Sequence, residues 1–334
     1  MGGNRALRKL MVLIDFNNVL FSSYYGQKLI NSKGTNVNAV KGFFTKIKNY
    51  KDIFEPEYIV FARDISRSKT FRRKIYSGYK ANRKPTDPDI LTQMKLAQRM
   101  VHLLGFPMLW NDGYEADDIL GMCAKYGDDH DMDTVIVSSD RDMYQLITSQ
   151  TSIMPPKGGD LVNIDSMMSE YQLTPDQWIE LKMLQGDRSD NIPGIPGIGT
   201  KTALILMRRY GTIDNIYSHL DEIKQSIRSA LESHRKDLPL IRSLVTIERD
   251  YRKIHLTLDD LRRDTVFQDE IWDILMQEEL YSLFDVMKYG LFPQPHDRLE
   301  EKASDPGKTH SVSGESIGRT VESVSPRARV SNRN

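Results

Sequence analysis

Short, mostly apolar runs at 10–16, 58–62, 107–110 and 134–138 each have the length of a buried strand, and each ends at polar or acidic residues. Between them lie longer stretches of helical periodicity at 38–50, 90–104 and 116–126. Strands alternating with helices predict an α/β fold with a mainly parallel sheet flanked by helices. In such sheets ligands bind beyond the carboxyl ends of the strands. Asp15, Asp64 and Asp140 stand at or just past those ends, so side chains far apart in sequence are expected to meet.

Past about residue 165 the pattern becomes helical, at 175–184, 201–210, 220–233 and 271–280. From Pro293 onward Ser, Gly, Pro and charge dominate. Residues 293–334 are expected to be a disordered tail, because they cannot bury enough apolar surface to order themselves. The division expected is 1–165 for the α/β core, 166–292 for a helical subdomain and 293–334 for the tail.

The chain of 334 residues is 39% hydrophobic, enough for a sizeable core. Lys+Arg and Asp+Glu are both 46, so net charge indicates no partner, but the distribution does. Residues 63–84 carry nine Lys or Arg against Asp64 alone, while acids gather at 115–118, 140–142 and 187–190. The single cysteine, Cys123, excludes an internal disulfide framework and a cysteine-based zinc site. It lies in an apolar helical stretch and reads as a buried thiol. No apolar run approaches the roughly 18–20 residues of a membrane span and no signal peptide is visible, so a soluble cytoplasmic protein of a bacterial or phage-infected cell is expected.

Nine acids stand out: Asp15, Asp64, Glu115, Asp117, Asp118, Asp140, Asp142, Asp187 and Asp190. Any one of them alone could be a helix cap or a solvated turn. Converging at one sheet edge, they would repel one another severely without cations. Oxygen-only donors suit Mg²⁺ or Mn²⁺ rather than zinc, and the seven histidines show no metal-ligand spacing. Two such ions about 3.5–4 Å apart are a standard device for phosphodiester hydrolysis.

Four motifs carry a family resemblance: Leu13-Ile14-Asp15, Tyr114-Glu115-Ala116-Asp117-Asp118, Ser138-Ser139-Asp140-Arg141-Asp142-Met143, and Gly186-Asp187-Arg188-Ser189-Asp190-Asn191-Ile192-Pro193-Gly194. From about residue 10 to 290 the chain resembles the 5′-nuclease family: the 5′-to-3′ exonuclease domain of bacterial DNA polymerase I, bacteriophage 5′-exonucleases and RNase H, and flap endonucleases. The resemblance implies that Asp15, Asp64, Glu115 and Asp117 hold a first metal ion. It implies that Asp117, Asp140, Asp142 and Asp187 hold a second, with Asp117 bridging and Asp118 and Asp190 acting through water. The sequence departs from the family in two places. Phe16 follows Asp15 where many members have Gly, and Phe21-Ser22 stands where an aromatic followed by Arg is common. Phe21 can still stack on a base or serve the core.

In the basic strip Arg72, Tyr76, Tyr79, Lys80 and Arg83 recur at spacings of three and four, so a helix would place them on one side. The family has a helical arch here, about 66–104. By resemblance Arg72 and Lys80 would contact the scissile phosphate, and the other cations would guide a single strand. The run from Ile192 to Ala203, with Gly197, Gly199 and Lys201, resembles a helix-hairpin-helix that binds duplex backbone without reading sequence. Family members often hold a monovalent cation such as K⁺ there.

The reading is a two-metal, Mg²⁺-dependent structure-specific 5′-nuclease acting on DNA with 5′ flaps, nicks or free 5′ ends, leaving a 5′-phosphate. Replication proteins are candidate partners, and no membrane is involved. The alternative is an RNase H-type nuclease acting on RNA primers in RNA–DNA hybrids. A catalytically dead DNA-binding relative is disfavoured by the full set of acids. A polymerase fragment is disfavoured by the polar tail without polymerase motifs, so a stand-alone protein is expected.

Overall fold

A computed structural model describes residues 8–293 and 318–319. Five strands, β1 (Leu10–Asp15), β2 (Tyr58–Ala62), β3 (Met108–Trp110), β4 (Asp133–Val137) and β5 (Thr151–Met154), form a parallel sheet in the order β5-β4-β1-β2-β3. A two-residue strand, β6 (Gly318–Arg319), pairs antiparallel with β3. The tail expected at 293–334 otherwise lies outside the described residues, apart from Pro293. β5 was not legible in the sequence, because its run is short and half polar.

Helices α1 (Phe16–Tyr24), α2 (Asn38–Phe54), α3 (Phe71–Ile75), α4 (Pro88–Leu103) and α5 (Ala116–Asp129) alternate with the strands. The central strand β1 is buried on both faces, as a parallel strand covered by helices must be. Met11 and Leu13 face a cluster shared with α5, while Val12 and Ile14 face one shared with α2 and α4. Phe16 starts α1 in that second cluster, edge-on to Phe43 at 5.2 Å. Cys123 is buried among the apolar residues of α5, as expected.

The helical part comprises α6 (Ile164–Tyr171), α7 (Pro175–Gln185), α8 (Thr200–Tyr210), α9 (Ile213–Ser218), α10 (Gln225–His234), α11 (Leu238–Val245), α12 (Leu258–Leu261) and α13 (Gln268–Gln277). Thr174 caps α7 by accepting from Gln177 N, and Pro175 follows at the first helical position. One buried cluster runs unbroken from Met11 through α7, α8 and α11 to Leu261, so the helices share a core with one face of the sheet. Residues 268–292, expected with the helical unit, pack instead on the opposite face with α2 and α4.

The segment expected to arch, 66–104, is divided. α4 buries Ile90, Ala97, Met100 and Val101 and is an ordinary core helix of the sheet. The basic strip is no continuous helix either. Thr70 caps α3, which ends at Ile75, and Tyr76 is extended (φ −141°, ψ 103°). Turns follow, with Lys80 in the left-handed region at φ +52°. Arg72, Tyr76, Tyr79, Lys80 and Arg83 therefore share no helical face. Among the described residues no helix is long and apolar enough to cross a membrane.

Candidate active site

Asp15 ends β1 and caps α1, accepting hydrogen bonds from Asn18 N (3.1 Å) and the Ser138 hydroxyl (2.9 Å). Asp64, just past β2, accepts from Asn17 Nδ2 and from Ala116 N at the start of α5, both at 3.0 Å. Asp140 follows β4 and caps a 3-10 helix, Arg141–Leu146, by accepting from Asp142 N at 2.8 Å. Asp117 lies in the first turn of α5. These four acids stand at the carboxyl edge of the sheet, and none of them is ion-paired in the described residues.

Three of them hold their protons above the usual carboxylate range. Burial, then Asp64 and Asp140, push Asp15 up to about 7. Asp64, though its side chain reaches solvent, is raised by desolvation among its neighbours, against the nearby charge of Lys80. Asp117 is raised well above the carboxylate range by burial and by Asp140 and Asp15. As arranged, no three acids, histidines or cysteines among the described residues stand close enough to hold a metal ion. The donor chemistry nonetheless fits a hard divalent cation: carboxylate oxygens converge, and positive charge is what their repulsion lacks.

The remaining acids are engaged by cations. Glu115 accepts from Lys80 Nζ (2.5 Å), the Tyr79 hydroxyl (2.6 Å) and Arg72 (3.1 Å). Asp190 pairs with Arg83, accepts from Tyr79 (3.2 Å) and lies 3.6 Å from Lys80 Nζ. Burial works against the charge of Lys80, but Glu115, Asp190 and Asp117 outweigh it and hold its pKa above the usual lysine range.

Asp142 and Asp187 are bridged by Lys182 from α7, at 2.7 and 2.6 Å. Asp142 is raised to about 6 by burial and Asp140, despite Lys182. Burial would also raise Asp187, but hydrogen bonds from Lys182 and Ser189 pull it down to about 2. Sequence reasoning missed Lys182. The available signal was a lysine in an otherwise apolar stretch of α7, one helical turn before the Gly186-Asp187 motif.

Two residues with expected roles at the site are already fully engaged. The Arg72 side chain is buried and all five of its N–H donors are used: on Asp118 twice, on Glu115, and on the carbonyls of Leu244 and Thr246. It has no donor left for a scissile phosphate in this arrangement. Asp118 is fully buried and takes four donors, two from Arg72 and one each from Glu115 N and Glu248 N. It serves as the anchor of Arg72 and has no free lone pair directed at a metal or its water. Phe21 is half-buried on α1, and Tyr76 packs partly buried against the larger apolar cluster.

The hairpin lies beside the acids. Asp187 and Ile192 exchange backbone hydrogen bonds of 2.9 and 2.7 Å, which closes the loop. A Cβ on Gly186 would come within 2.4 Å of Gly194 N, so only glycine allows this approach. Gly197 adopts φ +81° and Gly199 caps α8. Space around both is open, and Lys201 is exposed. Between the hairpin and α7 runs a groove of about 810 Å³ lined by Lys182, Asp187, Arg188, Gly197, Gly199 and Thr200, among others.

Two family models match the chain: the 5′-3′ exonuclease N-terminal resolvase-like domain over residues 10–175, and the 5′-3′ exonuclease C-terminal SAM fold over residues 173–269. The chain is 35% identical to thermostable DNA polymerase I of Thermus filiformis, over 79% of its own length and 32% of that protein. It is 34% identical to DNA polymerase I of Bacillus caldotenax, over 90% of its own length and 34% of that protein. It thus spans about a third of the length of these relatives. Among solved structures, the fold is similar to the bacteriophage T5 D15 protein co-crystallised with metal ions (TM-score 0.59, 21% identity, 80% of this chain and 99% of that one). It is also similar to the catalytic core of Rad2 in complex with DNA substrate (TM-score 0.56, 15% identity, 87% of this chain and 96% of that one).

Proposed function

The chain belongs to the 5′-3′ exonuclease family, and on that premise we propose that it is a Mg²⁺-dependent 5′-nuclease that hydrolyses DNA phosphodiesters at 5′ flaps, nicks and free 5′ ends, leaving a 5′-phosphate. The observation that carries the reading is the quartet Asp15, Asp64, Asp117 and Asp140: four acids without an ion pair among the described residues, Asp15 buried, Asp117 half-buried and Asp64 and Asp140 exposed, at the edge where a parallel sheet presents its ligands.

Asp15, Asp64, Asp117 and Asp140 would hold the metal ions, with Glu115, Asp142 and Asp187 completing the shell, and Mn²⁺ would substitute for Mg²⁺. Two bound ions supply a nucleophilic water at neutral pH and charge neutralisation for the leaving oxygen. The protein's own groups do the rest. Asn17, Asn18 and Ser138 orient the carboxylates, so little reorganisation is needed when substrate arrives. Lys80 lies 2.5 Å from Glu115 and can turn its charge to a phosphate drawn to the cluster. Arg83 and the other exposed cations of residues 63–84 attract the strand. The hairpin with Gly197, Gly199 and Lys201 would take the duplex backbone, and a monovalent cation such as K⁺ would suit its carbonyls. The chain divides functionally into a catalytic α/β unit and a helical duplex-binding unit.

Cleavage of end-labelled flap, nicked, single-stranded and RNA–DNA hybrid substrates with Mg²⁺, Mn²⁺ or chelator tests the reading. DNA flap cleavage that vanishes on chelation is expected. No cleavage of any DNA substrate with either metal overturns it, and preference for the hybrid redirects it to RNA primers.

A further inference from the structure

Lys182 is buried, yet its ammonium touches two carboxylates from different elements: Asp142 Oδ1 at 2.7 Å, from the 3-10 helix after β4, and Asp187 Oδ2 at 2.6 Å, from the loop that ends α7. The other oxygen of Asp187 is already satisfied inside its own loop, by Ser189 N (2.7 Å), the Ser189 hydroxyl (2.6 Å) and Asp190 N (3.2 Å). Only Oδ2 of Asp187 is therefore left to face Asp142, and Lys182 takes it. The proposed function asks both acids to bind a cation. A divalent ion shared by Asp142 and Asp187 would need Oδ2 of Asp187, the oxygen that Lys182 now holds, and would stand where the ammonium bridges the two acids. Both the lysine and Asp187 line the open groove beside the hairpin, so an ion can enter from solvent and the lysine has somewhere to go.

We propose that Lys182 is a built-in counter-ion that sits between Asp142 and Asp187 in the metal-free protein and is displaced when a divalent cation binds this half of the cluster. The inference rests on the metal-dependent reading above and adds a regulation to it. Without the lysine, two close carboxylates would face each other in a half-buried site, which is unfavourable. With it, metal binding has to break two charge-assisted hydrogen bonds, which lowers affinity at this pair and leaves the other acids unaffected.

The test is Mg²⁺ binding to the full chain by calorimetry without DNA, comparing wild type with Lys182→Gln and Lys182→Met. Both variants should bind one Mg²⁺ more tightly, by roughly ten- to hundred-fold, the range of one lost charge-assisted bond. They should also melt lower without metal and gain more melting temperature from Mg²⁺ than wild type does. Unchanged or weaker Mg²⁺ binding overturns the proposal. A second measurement needs no variant, and so stands even if both fail to fold. Acetylation of Lys182 in wild type, followed by mass spectrometry, should speed up several-fold at saturating Mg²⁺, while an unchanged or slower rate overturns the displacement. Wild type that binds no Mg²⁺ sinks the metal-dependent reading itself, whereas wild-type binding with no gain in the variants sinks only the role of Lys182.

Discussion

Arg72 and Asp118 face each other through two parallel hydrogen bonds of 2.7 Å, both side chains almost wholly buried. The same guanidinium reaches the carbonyls of Leu244 and Thr246 at 2.9 Å, so it fastens the basic segment and the start of α5 to the end of α11. Removing one partner of a buried, hydrogen-bonded pair leaves the other charge uncompensated. Arg72→Met is therefore expected to lower unfolding free energy by about 3–5 kcal/mol, measured by urea denaturation. The double variant Arg72→Met, Asp118→Leu should recover much of that loss, since no orphan charge remains. A single variant as stable as wild type would remove Arg72 from this role.

Lys80 is expected to act on both stability and rate. Its burial and its contact with Glu115 mean that its loss is not silent for folding. Because it occupies φ +52°, Lys80→Asn is the cleaner variant, asparagine tolerating that conformation better than alanine. Stability should fall by about 1–3 kcal/mol. Single-turnover cleavage at saturating DNA should slow by roughly 10²–10³, the range for one lost electrostatic donor. A rate constant equal to wild type under those conditions means that Lys80 only holds Glu115 in place.

Gly199 and Gly197 separate fold from binding. Gly199 has ordinary backbone angles and nothing near the position of a Cβ, so Gly199→Val should fold normally. The added side chain would stand in the open space over the hairpin. Duplex affinity should drop several-fold at fixed salt, with single-strand affinity changed less. Gly197→Val should add a folding penalty, because valine is strained at φ +81°. Equal duplex affinity for Gly199→Val and wild type would take the hairpin out of the DNA surface.

Asp15 sets a pH dependence of the metal-free protein. Its folded pKa is about 7 against an ordinary value of 3.8, so the folded state holds the proton more tightly than the unfolded chain. The contribution to stability is full below 3.8 and is lost as pH rises through 7. Asp15→Asn keeps the cap and cannot ionise. In chelator, its melting temperature relative to wild type should climb between about pH 4 and pH 8. Mg²⁺ at pH 8 should stabilise wild type more than the variant. A constant difference across that range would show that burial of Asp15 carries no such strain.

The runs of β1 to β4, the helices α2, α4 and α5 and the acids at the strand ends were legible in the sequence. Burial on both faces leaves a continuous apolar run, and a ligand edge leaves a polar stop: Leu10–Asp15 and Tyr58–Ala62 with Asp64 beyond are read almost residue for residue. In the glycine-rich hairpin, Gly197, Gly199 and Lys201 were singled out from the sequence, whereas the backbone contact of Gly186 with Gly194 came with the structure. Partnership was a matter for the tertiary structure. Spacings of three and four in the basic strip suggested one helical face, but Thr70, Gly78 and the left-handed Lys80 break the strip into turns. The cations still reach the acids, by folding back rather than by lining up. Nine carboxylates look alike in a sequence. Only packing makes Asp118 a saturated anchor for Arg72, gives Asp142 and Asp187 a lysine from α7, and leaves Asp15, Asp64, Asp117 and Asp140 without an ion pair among the described residues. Local sequence sets which residues end strands and cap helices. Which partner a charge meets depends on segments up to 174 residues apart, as with Arg72 and the Thr246 carbonyl, and their approach is governed by the shared core and not by any pattern along the chain.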